Sequence, residues 1–220
     1  MLLAQLGAQE LLAQPLDAGA QIKRAMTTLN CHACHQRDRR GGADGVRRDY
    51  FASVGEVDLG DEGRIPPHLN EAGAKLQTDW VKTVLWKGGA VRPYMATRMP
   101  QFGEANVKQL PALFEEADAA APAPHLPVDA SAAKFGRKLV GVGGLTCVAC
   151  HVFAGHKSLG VPALDLTTVP ARLKPAWFRA YLLDPQVLRP GTRMPPFWPN
   201  GIATNRDILG GDAEIGRAHV

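Results

Sequence analysis

The stretch Cys31-His32-Ala33-Cys34-His35 returns as Cys147-Val148-Ala149-Cys150-His151, and the two copies hold every cysteine of the 220 residues. Two thiols three positions apart can reach the two vinyl groups on one edge of a porphyrin. A histidine directly after the second thiol is then held beneath the ring, where an imidazole nitrogen can ligate the iron. The doubled pattern therefore predicts two covalently attached haem c groups, held by Cys31, Cys34 and His35 and by Cys147, Cys150 and His151. A tetrahedral zinc cage of four cysteines is the main alternative. The pairs lie 116 positions apart, wider than a compact zinc ribbon uses, and such a cage gives no reason for a histidine to follow both times. A redox dithiol calls for a βαβ pattern, and none is visible.

The length allows two small domains rather than one large one. The 23 glycines and 17 prolines suggest short helices separated by ordered loops, which suits a chain that wraps a porphyrin. The net charge of +4 is mild, and two haems bring four propionates, so nothing points to nucleic acid. No apolar run is long enough to span a membrane. Covalent haem attachment normally takes place outside the cytoplasm, which predicts the periplasm or the cell exterior. Residues 1–10 lack a basic stretch, and Gln5, Gln9 and Glu10 interrupt the apolar run. The chain is therefore expected to be part of a longer exported protein, or to have its true start upstream.

Residues Asp17 to Leu29 have the spacing of an amphipathic helix, with Ile22, Met26 and Leu29 on one face. A polar loop over 36–63 follows the first motif, with Tyr50, Phe51 and Val54 as its expected anchors. A helix is expected over 73–86, carrying Leu76, Trp80, Val84 and Leu85. Another is expected over 106–117, kinked or delayed by Pro111. An Ala/Pro linker lies between the halves, and a short helix over 132–140 precedes the second motif. The order then repeats. Val161-Pro162-Ala163-Leu164 takes the place of Pro66-Pro67-His68-Leu69, and Arg172-Leu173-Lys174 through Trp177 that of Lys75-Leu76-Gln77 through Trp80. Thr192-Arg193-Met194-Pro195 matches Thr97-Arg98-Met99-Pro100 outright. Such order marks a duplicated domain.

A low-spin electron-transfer haem takes a sixth ligand, and a thioether is the common soft partner of histidine. Met99 and Met194 are the candidates, each within Thr-Arg-Met-Pro at the same place in its repeat. Met95 competes in the first half, but Pro190 stands at the aligned position. Met1 and Met26 lie upstream of a motif and are read as structural. His32, between the cysteines, is expected to face solvent. His68 aligns with Ala163 and so has no shared role; His156 is too close to His151 to reach the opposite ring face, and His125 is read as solvated. Arg98 and Arg193 either pair with propionates or are simply solvated, the latter being favoured.

Each half resembles a class I cytochrome c domain: a helix, C-x-x-C-H, a Pro-x-Leu segment, a middle helix with an aromatic, a Met-Pro loop and a closing helix. In that family a proline after the motif holds the carbonyl that orients the axial histidine, and Pro67 and Pro162 match that place approximately. The paired signatures Arg92 to Gly103 and Arg189 to Gly201 are similar to tandem cytochrome modules of large exported bacterial proteins. The resemblance implies an all-α fold of two tandem cytochrome c-like domains, 17–117 and 131–213, after an extension (1–16) and joined by a linker (118–130). It also implies a closing helix that the second domain reaches too late to complete, and Glu214 to Val220 are expected to be a non-native tail. The implied role is to relay single electrons between two His/Met-ligated haems, serving redox partner proteins or a linked catalytic domain. The alternative is an enzyme, a di-haem peroxidase or the haem part of a dehydrogenase. A peroxidase needs one iron with an open sixth position, against which a methionine in each half argues. A dehydrogenase needs a second cofactor, and no Gly-rich nucleotide loop is visible. A haem-based sensor would need an open or weakly ligated iron.

Overall fold

A computed structural model describes residues 15–55, 59–119 and 130–207. Residues 208–220, and with them the expected truncation of the last helix, the foreign tail and His219, lie outside the described residues, as do residues 1–14 and His125. Among the described residues the chain is largely helical, with one two-stranded antiparallel sheet, β1 (Gln36–Arg37) and β2 (Arg40–Gly41).

The opening helix α1 (Ala18–Thr28) starts where Asp17 accepts a hydrogen bond from the Ala20 N–H at 2.7 Å, which satisfies one of the donors left free at a helix start. Ile22 and Met26, one turn apart, are fully buried. The expected loop over 36–63 contains the β1–β2 hairpin, a 3₁₀ turn (Gly45–Tyr50) and the single turn α2 (Asp61–Arg64). Of its expected anchors only Phe51 is buried; Tyr50 and Val54 are 83% and 52% exposed. The hairpin and the 3₁₀ turn already satisfy the backbone there, so one apolar anchor suffices.

The helix expected over 73–86 is broken into α3 (Ala72–Lys75) and α4 (Thr78–Lys87), with Leu76 and Gln77 extended between them. The buried residues of α4 are Val81 and Leu85, while Trp80 and Val84 are half-buried. The closing segment is likewise two pieces, α5 (Glu104–Val107) and α6 (Leu110–Ala117). Pro111 sits in the first turn of α6, where its missing N–H costs nothing, so it marks a start. Val107, Leu110, Leu113 and Phe114 form one buried face that packs with α1, α3 and α4. Gly73 allows that approach, since a Cβ there would stand 1.8 Å from the Phe114 carbonyl oxygen. Asp118, expected to open the linker, belongs instead to the first half. Its carboxylate takes two bonds from Arg37, at 3.0 and 2.6 Å, and one from the Gly73 N–H at 3.0 Å.

In the second half α7 (Ala130–Val140) leads into the motif. Then follow α8 (Val169–Arg172), α9 (Pro175–Leu183) and α10 (Pro185–Leu188), α9 and α10 each opening on a proline. Its core gathers Leu139, Leu145, Leu182, Trp198 and Ala203.

The break between α3 and α4 has a counterpart between α8 and α9, and the two breaks meet. Leu76 pairs antiparallel with Leu173. The Gln77 N–H donates to the Arg172 carbonyl at 2.9 Å and the Lys174 N–H to the Lys75 carbonyl at 2.8 Å. Lys75 Nζ lies 4.4 Å from the Trp177 ring centre, and Arg172 lies over Trp80 at 5.7 Å. Equivalent residues thus exchange equivalent contacts, so the halves meet about a local two-fold axis through Leu76 and Leu173.

Candidate functional site

Both Cys-x-x-Cys-His stretches adopt the same tight 3₁₀ turn. Each is entered through a residue with positive φ, Asn30 (54°) and Thr146 (58°), which turns the chain into the motif. The His35 N–H then donates to the Cys31 carbonyl and the His151 N–H to the Cys147 carbonyl, each at 2.9 Å; the Cys34 and Cys150 N–H groups reach the same carbonyls at 3.1 Å. In each turn the backbone that carries both cysteines and the histidine is fixed by its own hydrogen bonds.

Each histidine is oriented from its other side as well. His35 Nδ1 lies 2.7 Å from the Pro67 carbonyl oxygen, and His151 Nδ1 lies 2.9 Å from that of Leu164. A carbonyl can only accept, so each Nδ1 carries a proton, which in a neutral ring leaves Nε2 with its lone pair, the arrangement a metal-ligating imidazole takes. Burial, and to a lesser degree Arg92, push the pKa of His35 down, against the Pro67 carbonyl, which acts to raise it; the ring is thus held neutral. Burial also raises the Cys31 thiol and pushes that of Cys147 up to about 11.

The acceptor in the second half is Leu164 and not Pro162. The Leu69 N–H donates to the Gln36 carbonyl at 2.7 Å and the Leu166 N–H to the Val152 carbonyl at 2.9 Å, so Leu69 corresponds to Leu166 and Pro67 to Leu164. The match on proline was two residues out of register, because a carbonyl acceptor does not depend on its side chain. His68 accordingly corresponds to Asp165, not Ala163. Burial, with Arg189 and Lys75 nearby, pushes the His68 pKa down to about 4.

Met99 packs against the apolar cluster that Cys31 also touches, and Met194 against the one that Cys147 touches. Met95 is buried elsewhere, pairing with Ser53 of the long loop and approached by the Arg92 guanidinium at 3.9 Å from its sulfur. His156 is exposed in a turn with Phe153. His32 does not face solvent: the β1–β2 hairpin covers it, and neither of its ring nitrogens has a partner.

A group of cations that the sequence did not single out surrounds the junction of the halves. Burial, then Arg189, Arg92 and Arg172, push the pKa of Lys75 down to about 7; burial, then Arg92, push that of Arg172 down to about 10. Arg189 lies 3.7 Å from Glu62. Lys75 and Arg172 are repeat equivalents, as are Arg92 and Arg189, which was the available signal. Arg98 is exposed and donates to the Met95 carbonyl. Among the described residues Trp86 Nε1, Trp198 Nε1, Arg172 Nε and Arg189 Nη1 are buried N–H donors without an acceptor. An unpaired buried donor is costly, and this set fits an acceptor-only group such as a carboxylate. The residues present therefore fit porphyrins, whose thioether edges the cysteines would hold and whose propionates such donors would satisfy. A four-cysteine zinc cage fits less well, since among the described residues no three His, Cys, Asp or Glu side chains gather about one point.

Comparison with family models, with characterised proteins and with solved structures finds no significant match.

Proposed function

We propose that this chain is a di-haem electron-transfer module with one covalently attached haem c in each half. The observation that carries this is the repeated turn. Two Cys-x-x-Cys-His stretches share one backbone hydrogen-bond pattern, and each following histidine is pinned through Nδ1 with Nε2 left to coordinate. Cys31 and Cys34, with Cys147 and Cys150, would be the anchors, and His35 and Met99, with His151 and Met194, would ligate the irons. Each haem would supply an iron that accepts and releases one electron. The protein's part is to hold the imidazoles oriented through Nδ1, to keep thioethers within the same apolar clusters as the cysteines, and to offer buried donors to carboxylates. A module with this ligand set exchanges electrons with redox partner proteins or with a catalytic domain linked to it, outside the cytoplasm. No helix among the described residues is long and apolar enough to cross a membrane.

The test is expression with a haem-attachment system, followed by a reduced spectrum and acid–acetone extraction. Two c-type haems per chain that resist extraction are expected, and Met99→Ala and Met194→Ala should each remove one methionine-to-iron charge-transfer band and lower one reduction potential. Zinc in place of iron in the exported protein would overturn the assignment.

A further inference from the structure

Glu62 lies in α2, in a stretch of the first half that the second half does not possess: residues 36 to 69 do there what residues 152 to 166 do in the repeat. Its carboxylate reaches across to the other half. One oxygen accepts from the Thr192 hydroxyl at 2.9 Å and from the Arg193 N–H at 3.1 Å, and the other lies 3.7 Å from Arg189 Nε. Thr192 is buried, and its hydroxyl has one proton and two lone pairs. The proton goes to Glu62, because an ionised carboxylate can only accept. The lone pairs take the Met194 N–H at 3.3 Å and the Tyr181 hydroxyl at 3.2 Å, which must therefore be the donor. Every bond the Thr192 hydroxyl can make is made, and the turn that presents Met194 is fixed through it. Among the described residues no carboxylate hydrogen-bonds the corresponding Thr97.

We infer that Glu62 is a positioning residue, through which the first half sets the geometry of the Met194 loop in the second. This rests on Met194 being the distal ligand of the second iron. Through Thr192 the carboxylate limits how far the loop can swing, so the loop of the second methionine is held by a group from the other half. A thioether held in place resists displacement, and loosening the loop exposes the iron to competing ligands.

The experiment uses the holoprotein in a Met99→Ala background, so that one methionine-to-iron band remains, and measures that band together with the imidazole concentration that displaces the methionine. Glu62→Ala should weaken the band and lower that concentration about five- to tenfold, within the range of ordinary couplings between sites. Glu62→Gln keeps a carbonyl acceptor and should recover most of the loss, which a general loosening of the fold would not do. Thr192→Val should reproduce Glu62→Ala, and the double change should add less than the sum of the two. With Met99 intact, the first band should not respond to Glu62→Ala. If Met194→Ala leaves the remaining band in place, the ligand assignment fails and the inference with it. If Met194→Ala removes the band but Glu62→Ala changes neither it nor the imidazole midpoint, the inference alone is overturned.

Discussion

In the first half the segment after the haem-type motif is tied back by Arg37, whose guanidinium lies over the Phe114 ring at 5.3 Å and bonds to Leu69 and Asp118. At the same distance from the second motif stands Phe153, which only closes a small turn with His156. The methionine loops differ in the opposite sense. That of the second half is gripped by Glu62 from across the junction, whereas that of the first is held from within its own half, where the Val54 N–H donates to the Tyr94 carbonyl at 2.7 Å and the Ala96 N–H to the Ala52 carbonyl at 3.0 Å. Two copies of one pattern have thus divided the work: the first is closed by its own ion pair, and the second is steadied by its neighbour.

The largest effect that separates the halves is expected at Asp118. Its side chain and that of Arg37 are 7% and 9% exposed, so Asp118→Ala strands a buried cation and should lower stability by about 3–5 kcal/mol. Denaturant unfolding read at the first site checks this, and an unchanged midpoint there would end the claim that the first half closes itself. Met26→Ala and Leu139→Ala sharpen the comparison from the core outward. Both side chains are essentially inaccessible, and each truncation should cost about 2–5 kcal/mol. Met26→Ala should cost more, because it opens a hole in the broader cluster where α1 meets α6, and paired denaturant melts rank the two.

The junction predicts equality instead of difference. Gln77 and Lys174 have φ of -60° and -71°, values proline adopts freely, and each N–H crosses to the other half. The step from Ala to Pro at either position should cost about 0.5–1.5 kcal/mol, the worth of one hydrogen bond. The two steps should agree within about 0.5 kcal/mol. Thermal melts of the Ala and Pro variants check this, and unequal steps would show that the two-fold relation does not hold energetically. The smallest effect is a pH dependence. The Thr78 hydroxyl, then Lys174, hold the Glu115 carboxyl below its ordinary 4.5, and Lys174 comes from the other half at 3.1 Å. This contribution is complete above pH 4.5 and is lost as pH falls through the lower folded value. Glu115→Gln should flatten the melting temperature in that window slightly, and the same slope in both proteins would exclude the contact as its source.

Much of the architecture was legible because helical periodicity and short motifs are properties of neighbouring residues. Ile22 and Met26 face the core as their spacing requires, and Val107, Leu110, Leu113 and Phe114 form the expected apolar face. The paired Cys-x-x-Cys-His turns were visible for the same reason. What escaped depends on partners distant in sequence. The break at Leu76 and Gln77 lies within a run that reads as one helix, and only the opposite segment at Leu173 explains it. The carbonyl that orients His151 was assigned by its side chain, which plays no part in the bond, and the register came out two residues wrong. Glu62 is one acid among many in a polar loop, and nothing local marks its reach to Thr192.

The local two-fold relation carries a consequence for assembly. A contact in which each member offers the same segment to the other is self-complementary, as in a symmetric dimer of identical subunits. The exchange at Leu76 and Leu173 has the form that two separate copies of one such half would make with each other. Fusion makes such a pairing independent of concentration, and it releases the copies from having to remain identical. It also leaves a liability: a half expressed alone presents an unpaired backbone edge at Leu76 or Leu173, open to a second molecule of itself.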